Sequence, residues 1–277
     1  MDNMKNRKGV VGFGNMGRAI AQRINPQYRV FVFDKDRNKT KNLDGIKVAD
    51  NSSDLVDKVD ALILAVKPQD LLGVLNEIKN YVKDKLIISI AAGITCAYIE
   101  KVIKNARVIR VMPNIGAKIG GSVSCLCAGV FASGDDLDFA EELFYNIGVT
   151  RNIDEGMMNT ATAISGSGPA YIFDFVEANS MDPCNVPEHA RHDMIKRLER
   201  AAKTLGFSHE DAMFLAANTL DTSINLMAKT KIAPKELKML VASKGGTTEK
   251  ALEVLRKGGS WEEAAQAALK RAEELSR

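Results

Sequence analysis

The chain has 277 residues, which is enough for two domains of ordinary size and for a sizeable buried core. Hydrophobic residues make up 45% of the sequence and charged residues 26%, which excludes a wholly disordered or collagen-like chain. Lys and Arg number 38 against 35 Asp and Glu, so the net charge of +3 favours neither nucleic acid nor a membrane surface as a partner.

No apolar segment is long enough to cross a bilayer, because the longest runs, 61–66 and 86–94, have the length of strands. The first residues are basic but lack the apolar core of a signal peptide, so we expect none. Four cysteines are few for a chain of this size, and we expect all of them to be ordinary reduced thiols. The expected compartment is therefore the cytoplasm.

The first half of the chain alternates predicted strands with predicted helices. Strands are predicted at residues 9–13, 30–33, 61–66, 86–90 and 108–112. Helices are predicted at 16–24, at 53–59 with Ser52 or Ser53 as the cap, after Pro68, and after the cap Thr95. Short connections between alternating elements predict an α/β fold with a parallel sheet covered by helices on both faces.

From about residue 156 onward, helical patterns replace the alternation. Helices are predicted at 170–178, 211–229, from Pro234, at 249–256 and at 261–275, with caps at Ser208 and Ser260. We therefore expect two domains, residues 1–154 and 155–277.

The sequence GFGNMG, Gly12 to Gly17, has the spacing G-x-G-x-x-G between the first predicted strand and helix. Gly12 would allow the tight turn, Gly14 the approach of a pyrophosphate, and Gly17 close packing of helix on strand. Because the N-terminus of a helix attracts phosphate groups, this context predicts a dinucleotide-binding domain.

The residues after the second strand should contact the ribose of that dinucleotide. Asp34 lies about 20 residues beyond the glycines, where an acid binds the 2′-hydroxyl of NAD. Lys35 and Arg37 could instead pair with the 2′-phosphate of NADP. A solvated charged loop is the third interpretation, so the cofactor stays open.

Three further segments, 65–68, 91–93 and 112–114, follow predicted strands at the edge of the sheet where ligands bind. Their small residues would let a nicotinamide lie against the backbone, and Lys67 and Asn114 could hold its polar groups. Ordinary turns between strand and helix explain the same pattern equally well.

In the helical half, SKGGTT, Ser243 to Thr248, precedes a predicted helix. Two glycines before a helix can form a concave nest of N–H groups that suits a small carboxylate, with Thr247 and Thr248 adding hydroxyls. The alternative is a flexible turn with a threonine cap.

Six motifs, GFGNMG, AVKPQ, SIAAGI, RVMPN, ISGSGPAY and SKGGTTEKAL, occur in an order that closely resembles Δ1-pyrroline-5-carboxylate reductase. The resemblance covers nearly the whole chain. It implies an N-terminal Rossmann-type doubly wound sheet followed by an all-helical dimerisation domain. It also implies reduction of Δ1-pyrroline-5-carboxylate to L-proline with NADPH or NADH, with NADPH slightly favoured. The implied assembly is a homodimer, possibly a decamer, that binds a small-molecule substrate and no metal.

The resemblance also implies roles for individual residues. Cofactor-binding residues would be Gly12, Phe13, Gly14, Asn15, Met16, Gly17, Asp34, Lys35, Asn51, Ala65, Lys67, Pro68, Ala91, Gly93, Met112, Pro113 and Asn114. Substrate-binding residues would be Ser243, Gly245, Gly246, Thr247 and Thr248. Thr248 is the candidate catalytic residue, because its hydroxyl could bond the imine nitrogen. The substrate loop meets the cofactor across the dimer in this family, so the site is expected to need two chains.

The largest departure from the family is an insert of residues 179–197 that separates Phe-Val-Glu-Ala from Leu-Glu-Arg-Ala-Ala. Its prolines exclude an unbroken helix, and we expect a solvent-facing loop with a short helix after Pro187. Cys184, His189 and His192 could form a metal cluster by residue type alone, but the loop is the favoured interpretation.

Two other functions remain open at this point. Other imine reductases and β-hydroxyacid dehydrogenases share the architecture, but they place a lysine on an early helix of the second domain. MMNTATAISGSGPAY has no lysine, which disfavours that class. A non-catalytic dinucleotide sensor, disabled by the insert, is the second alternative.

Overall fold

The computed structural model describes residues 6–276 of the chain. These form two compact units. The first contains the residues up to Met112 together with Leu126–Glu155, and the second contains Pro113–Cys125 and Gly156–Ser276. The functional division between residues 154 and 155 stays a prediction.

Eight strands form one sheet. They are β1 (Arg7–Val11), β2 (Arg29–Phe33), β3 (Lys47–Val48), β4 (Ala61–Leu64), β5 (Leu86–Ser89), β6 (Arg107–Met112), β7 (Ser122–Ala128) and β8 (Gly148–Asn152). The strand order is β3-β2-β1-β4-β5-β6-β7-β8, and the pairs from β3 to β6 are parallel. Every residue of β4 and β5 is buried, as in a sheet covered on both faces. The order 3-2-1-4-5-6 is that of a Rossmann fold, which confirms the predicted class.

The helices of the first unit lie where the sequence predicts them, with one addition. They are α1 (Asn15–Ile24), α2 (Ser52–Asp57), α3 (Pro68–Ile78), α4 (Cys96–Val102) and α5 (Gly134–Tyr145). Thr95 caps α4 as predicted. The predicted caps of α2, Ser52 and Ser53, are wrong, because the side chain of Asn51 accepts the N–H of Asp54 and both serines are helical.

From Gly156 onward, the second unit is helical. It contains α6 (Met158–Ala161), a π-helical turn at Thr162–Gly166, α7 (Gly168–Ala178), α8 (Glu188–Thr204), α9 (His209–Thr230), α10 (Pro234–Val241), α11 (Thr247–Arg256) and α12 (Trp261–Leu275). Its core includes the ring of Trp261, which packs edge-on against Tyr171 and Phe175 at centroid distances of 5.9 and 6.2 Å.

The insert is a mostly exposed loop, 179–187, followed by the first ten residues of α8. The expected loop is therefore present, but the prediction of a short helix is wrong. Helix α8 continues without a break into the Leu-Glu-Arg-Ala-Ala segment and ends at Thr204, because Met194, Leu198 and Ala201 fall on one buried face.

Among residues 6–276, every helix is too short or too polar to cross a lipid bilayer. All four cysteines are free thiols, in agreement with the sequence. Cys96, Cys125 and Cys127 are buried and Cys184 is exposed.

Candidate functional site

The phosphate loop between β1 and α1 is shaped by two of its glycines and left open by the third. Gly12 has φ +93°, and a Cβ there would lie 2.6 Å from the carbonyl oxygen of Ala65. A Cβ on Gly17 would lie 2.0 Å from the carbonyl oxygen of Gly12. A Cβ on Gly14 would meet no atom within 4 Å. The space beside Gly14 is therefore where a pyrophosphate can approach the backbone.

The start of α1 is suited to an anion. Gly14 is its N-cap, no side chain caps it, and its first turn carries no acidic residue. The N–H groups of this turn and the positive end of the helix dipole therefore face a site without a competing protein anion. Phe13 is buried, Asn15 is exposed and Met16 is half-buried. The loop thus fits the diphosphate of a dinucleotide.

Asp34, at the end of β2, is buried and anchors the phosphate loop. Its carboxylate accepts the N–H of Phe13 at 2.7 Å and of Asp36 at 2.9 Å, and Lys39 Nζ lies 3.3 Å away. Burial acts to raise the pKa of Asp34, but these three hydrogen bonds outweigh it and hold the pKa below its ordinary value. Both carboxylate oxygens are thus occupied within the protein.

The basic residues beyond Asp34 differ in how firmly they are held. Lys35 is exposed and pairs with Asp70 at 2.9 Å. An exposed pair of this kind contributes little, so Lys35 can change partner. Arg37 donates to the carbonyl oxygens of Ala49 and Asp50, which fixes it to the backbone.

The remaining predicted cofactor residues of the first unit follow strands. Ala65 and Pro68 are half-buried after β4, and exposed Lys67 is the N-cap residue of α3. Ala91 and Gly93 are buried after β5, and Gly93 has φ +73°. Asn51 is exposed, but its side chain caps α2. Met112 ends β6.

Pro113 and Asn114 belong to the second unit, where Asn114 is buried. The side-chain oxygen of Asn114 accepts the N–H of Gly116 at 3.0 Å and of Val123 at 3.2 Å, and its amide nitrogen donates to the carbonyl of Ser165 at 3.1 Å. These bonds make Asn114 a structural link inside the second unit.

The predicted substrate loop is held at Gly245, before α11, through both backbone polar groups of that residue. Gly245 has φ +71°; its N–H donates to the carboxylate of Glu249 at 2.7 Å, and its carbonyl accepts from Arg271 Nε at 2.7 Å. A Cβ on Gly246 would lie 2.3 Å from Ser243 Oγ. Gly246 is the N-cap of α11, which no side chain caps.

Both threonine hydroxyls of this loop contact Ser167, which directly precedes α7. Thr248 Oγ1 donates to Ser167 Oγ at 3.0 Å, and Thr247 Oγ1 lies 3.2 Å from the same oxygen. Thr248 and Ser167 are buried, Thr247 is half-buried, and Ser243 is exposed.

Comparison with known proteins identifies the family of this chain. The family model for pyrroline-5-carboxylate reductase dimerisation matches residues 192–275, and that for NADP oxidoreductase, coenzyme F420-dependent, matches residues 7–93. A pyrroline-5-carboxylate reductase from Methanosarcina acetivorans is 34% identical over 268 residues, which are 91% of this chain and 90% of the relative. The Aquifex aeolicus enzyme is 33% identical over 90% of this chain and 88% of its own. This chain belongs to the pyrroline-5-carboxylate reductase family.

Solved structures of pyrroline-5-carboxylate reductases have the same fold as this chain. A pyrroline-5-carboxylate reductase from Coxiella burnetii matches with a TM-score of 0.67 and 30% identity, covering 99% of this chain and 100% of that one. A Plasmodium falciparum pyrroline carboxylate reductase with NADP bound matches with a TM-score of 0.65 and 27% identity over the full length of both chains. The family is one of oxidoreductases that use NAD(P) and form homo-oligomers, so the predicted enzyme class, cofactor type and self-association are confirmed.

Ser167, Glu249 and Arg271 were not among the residues predicted for the family site. Ser167 carries a signal in the sequence, since it lies in ISGSGPAY, but the motif by itself does not indicate a role. Glu249 could have been found as an acid in the first turn after Gly246. Arg271 has no local signal, because its contact with Gly245 spans 26 positions.

Among the described residues, one group of three possible metal ligands comes together, and it lies in the first unit. Ligand atoms of Cys96, Cys127 and Glu155 are within 4.8 Å of one another. Glu155 already accepts the N–H of Cys96 at 2.7 Å and pairs with Arg110 at 3.4 Å. A hydrogen bond with Cys127, together with burial, raises the pKa of the Cys96 thiol. Cys184, His189 and His192 do not form such a group.

Proposed function

We propose that this reductase family member converts Δ1-pyrroline-5-carboxylate to L-proline by hydride transfer to the cyclic imine, the last step of proline biosynthesis. The observation that supports this substrate best is the loop Gly245–Thr248. It combines an uncapped helix start with two hydroxyls, which suits a small molecule that carries a carboxylate beside a basic nitrogen.

The carboxylate of the substrate would bind at the start of α11. The first-turn N–H groups are free of a side-chain cap, and the helix dipole adds a partial positive charge. The two backbone hydrogen bonds of Gly245, with Glu249 and Arg271, fix the direction of this turn. Exposed Lys244 adds a cation nearby in the sequence.

The chemistry then needs positioning and one proton. The dinucleotide, when bound at the phosphate loop, supplies the hydride for the imine carbon. A protonated imine accepts hydride better than a neutral one, and its electron pair ends on the nitrogen as the C=N bond is reduced. Thr248 would hydrogen-bond that nitrogen and fix the ring for attack, which is a gain from orientation.

For the cofactor, we propose a preference for NADPH. The carboxylate of Asp34 is occupied by the phosphate loop, so it is poorly placed to bind a ribose 2′-hydroxyl. Lys35 can exchange Asp70 for a 2′-phosphate.

Kinetics with NADPH and NADH, side by side, test this preference. Lys35→Ala should raise KM for NADPH by about tenfold, which corresponds to loss of one charge-assisted hydrogen bond, and leave KM for NADH nearly unchanged. Exposed Lys41 supplies the matched control Lys41→Ala. Equal changes for both cofactors in Lys35→Ala would remove Lys35 from the 2′-phosphate site.

The proposed assembly is a homodimer in which the substrate loop of one chain serves the cofactor of the other, with association of dimers into a decamer. The proposed compartment is the cytoplasm. Light scattering after gel filtration measures the number of chains directly.

Replacement of Thr248 tests the site. Thr248→Val keeps the shape but removes the hydroxyl, so kcat/KM for the imine should fall by roughly 10- to 100-fold, the value of a hydrogen bond to a charged group. KM for NADPH should hardly change. Exposed Thr204, at the end of α8, supplies the control Thr204→Val. Unchanged turnover and KM for the imine in Thr248→Val would remove Thr248 from the mechanism.

A further inference from the structure

Ser167 lies at the centre of a buried group of hydroxyls in the second unit. Its side chain is fully buried. Its oxygen receives the hydrogen bond of Thr248 at 3.0 Å, lies 3.2 Å from Thr247 Oγ1, and is also hydrogen-bonded to the phenol of Tyr171. We call Thr247, Thr248, Ser167 and Tyr171 the hydroxyl chain.

The hydroxyl chain has a direction, because its last member donates to a carbonyl. Tyr171 Oη donates to the carbonyl oxygen of Ala163 at 2.9 Å, in the π-helical turn. The phenol has therefore used its proton and accepts from Ser167. A serine hydroxyl has one proton and two lone pairs, so Ser167 accepts from Thr248 and Thr247. The threonine oxygens keep their lone pairs for another partner.

The frame of the hydroxyl chain is rigid. Tyr171 is fully buried and packs against Trp261, and burial raises the pKa of its phenol, which keeps the proton. Along the same helix, α7, Asp174 pairs with Lys238 of α10 at 2.6 Å. The two buried serines of this segment, Ser165 and Ser167, differ in the hydrogen-bond partners of their hydroxyls. Ser165 is equally buried but donates to the carbonyl of Ala161 at 2.9 Å, inside its own turn of helix.

We propose that Ser167 is a positioning residue of the substrate site. Ser167 accepts the hydrogen bond of the Thr248 hydroxyl, so that Thr248 meets the substrate nitrogen with a lone pair and accepts the N–H of the protonated imine. This assigns the selected form of the substrate, a cyclic iminium carboxylate, and it rests on the proposed function. Ser167 acts on Thr248 of its own chain.

Paired serine variants test the role. Ser167→Ala should raise KM for the imine about 5- to 10-fold and lower kcat, with KM for NADPH unchanged, because one net hydrogen bond is lost. The control Ser165→Ala removes an equally buried hydroxyl and should leave both imine constants within about twofold. Tyr171→Phe removes the final donor and should change the imine constants in the same direction as Ser167→Ala, but less.

A double-mutant cycle separates positioning from mere stability. Thr248→Val should lower kcat/KM for the imine by a much smaller factor in the Ser167→Ala background than in the Ser165→Ala background. In the first background, the threonine hydroxyl has already lost its hydrogen bond to Ser167. Equal costs in the two backgrounds, or equal imine constants for the two serine variants, would overturn the proposal. A wild-type chain without imine turnover would instead contradict the proposed function, and it would be seen before any variant is compared.

Discussion

The buried carboxylate of Asp34 supports the phosphate loop through hydrogen bonds to the backbone. It joins the end of β2 to the backbone of Phe13 and so holds the phosphate loop open beside Gly14. An acid at this distance from the glycines predicts a ribose contact. In this chain, the same acid also stabilises the phosphate loop through the N–H of Phe13.

The pH dependence of stability should reveal this anchor. The pKa of Asp34 in the folded chain lies below its ordinary value of 3.8, so its ionised form stabilises the fold above that pH. This contribution is lost as the pH falls through the folded pKa. At pH 7, the free energy of unfolding of Asp34→Asn should therefore be about 1–2 kcal/mol lower than that of wild type, and the variant should unfold at a lower temperature. This difference should vanish in strong acid.

Exposed Asp44 offers the matched control, because Asp44→Asn changes the charge equally. Thermal unfolding of the three proteins from neutral to acid pH gives the answer. A constant gap between Asp34→Asn and wild type at every pH would mean that ionisation of Asp34 contributes nothing to stability.

The roles of residues that depend on the local backbone conformation could be predicted from the sequence. The roles of residues whose partners lie far away in the sequence could not. Gly12 and Gly17 follow from the tight turn that the spacing requires. The contact of Ser167 with Thr248 spans 81 positions, and nothing in either segment alone indicates it. The buried bonds of Asn114 depend in the same way on packing inside the second unit, since its partner Ser165 is 51 positions away.

Substitutions in the phosphate loop between β1 and α1 test which glycines lie beside the cofactor phosphate and which only allow the backbone conformation of the loop. Gly14→Ala should fold normally, because a Cβ meets open space, but it should raise KM for the cofactor at least about tenfold by blocking the phosphate. Gly17→Ala should lower the free energy of unfolding by about 1–3 kcal/mol, and with it the unfolding temperature, because the new Cβ would lie 2.0 Å from a backbone oxygen.

Gly73 in α3 is the control for both substitutions, since a Cβ there also meets no atom within 4 Å and no ligand is expected. Gly73→Ala should be neutral or slightly stabilising, with unchanged cofactor constants. A Gly14→Ala protein that binds the cofactor normally would place the pyrophosphate elsewhere.

The elements that the sequence did not predict have weak patterns. β3 has two residues, both exposed, so it has no buried run to detect. β7 is buried for six residues, but Ser and Cys occupy four of those positions and hide its apolar character. The prolines of the insert correctly exclude an unbroken helix. They could not show that the helix beginning at Glu188 joins the next segment, because the joining face is defined by packing against α9 and α12.

For the whole molecule, mixed oligomers test which parts of the site come from one chain. Two tagged chains, one with Gly14→Ala and one with Thr248→Val, are co-expressed and the doubly tagged oligomer is purified. If cofactor and substrate loops meet across a dimer, as the family resemblance implies, each mixed dimer has one intact site, so activity should return well above the mean of the two parents.

The second mixture pairs Ser167→Ala with Thr248→Val. These residues contact within one chain, so no mixed site is intact and activity should not exceed the mean of the two parents. Recovery in this second mixture would show that Ser167 serves the partner's loop. Failure of the first mixture to recover would mean that a single chain holds both loops.

We propose that the phosphate loop and the Gly245–Thr248 loop serve one imine reductase. The most direct measurement is the loss of NADPH absorbance when Δ1-pyrroline-5-carboxylate is added to the wild-type protein, with the product identified by chromatography. We expect one proline to form for each NADPH oxidised. Tight binding of NADPH with no turnover of the imine would contradict it and would favour a dinucleotide sensor.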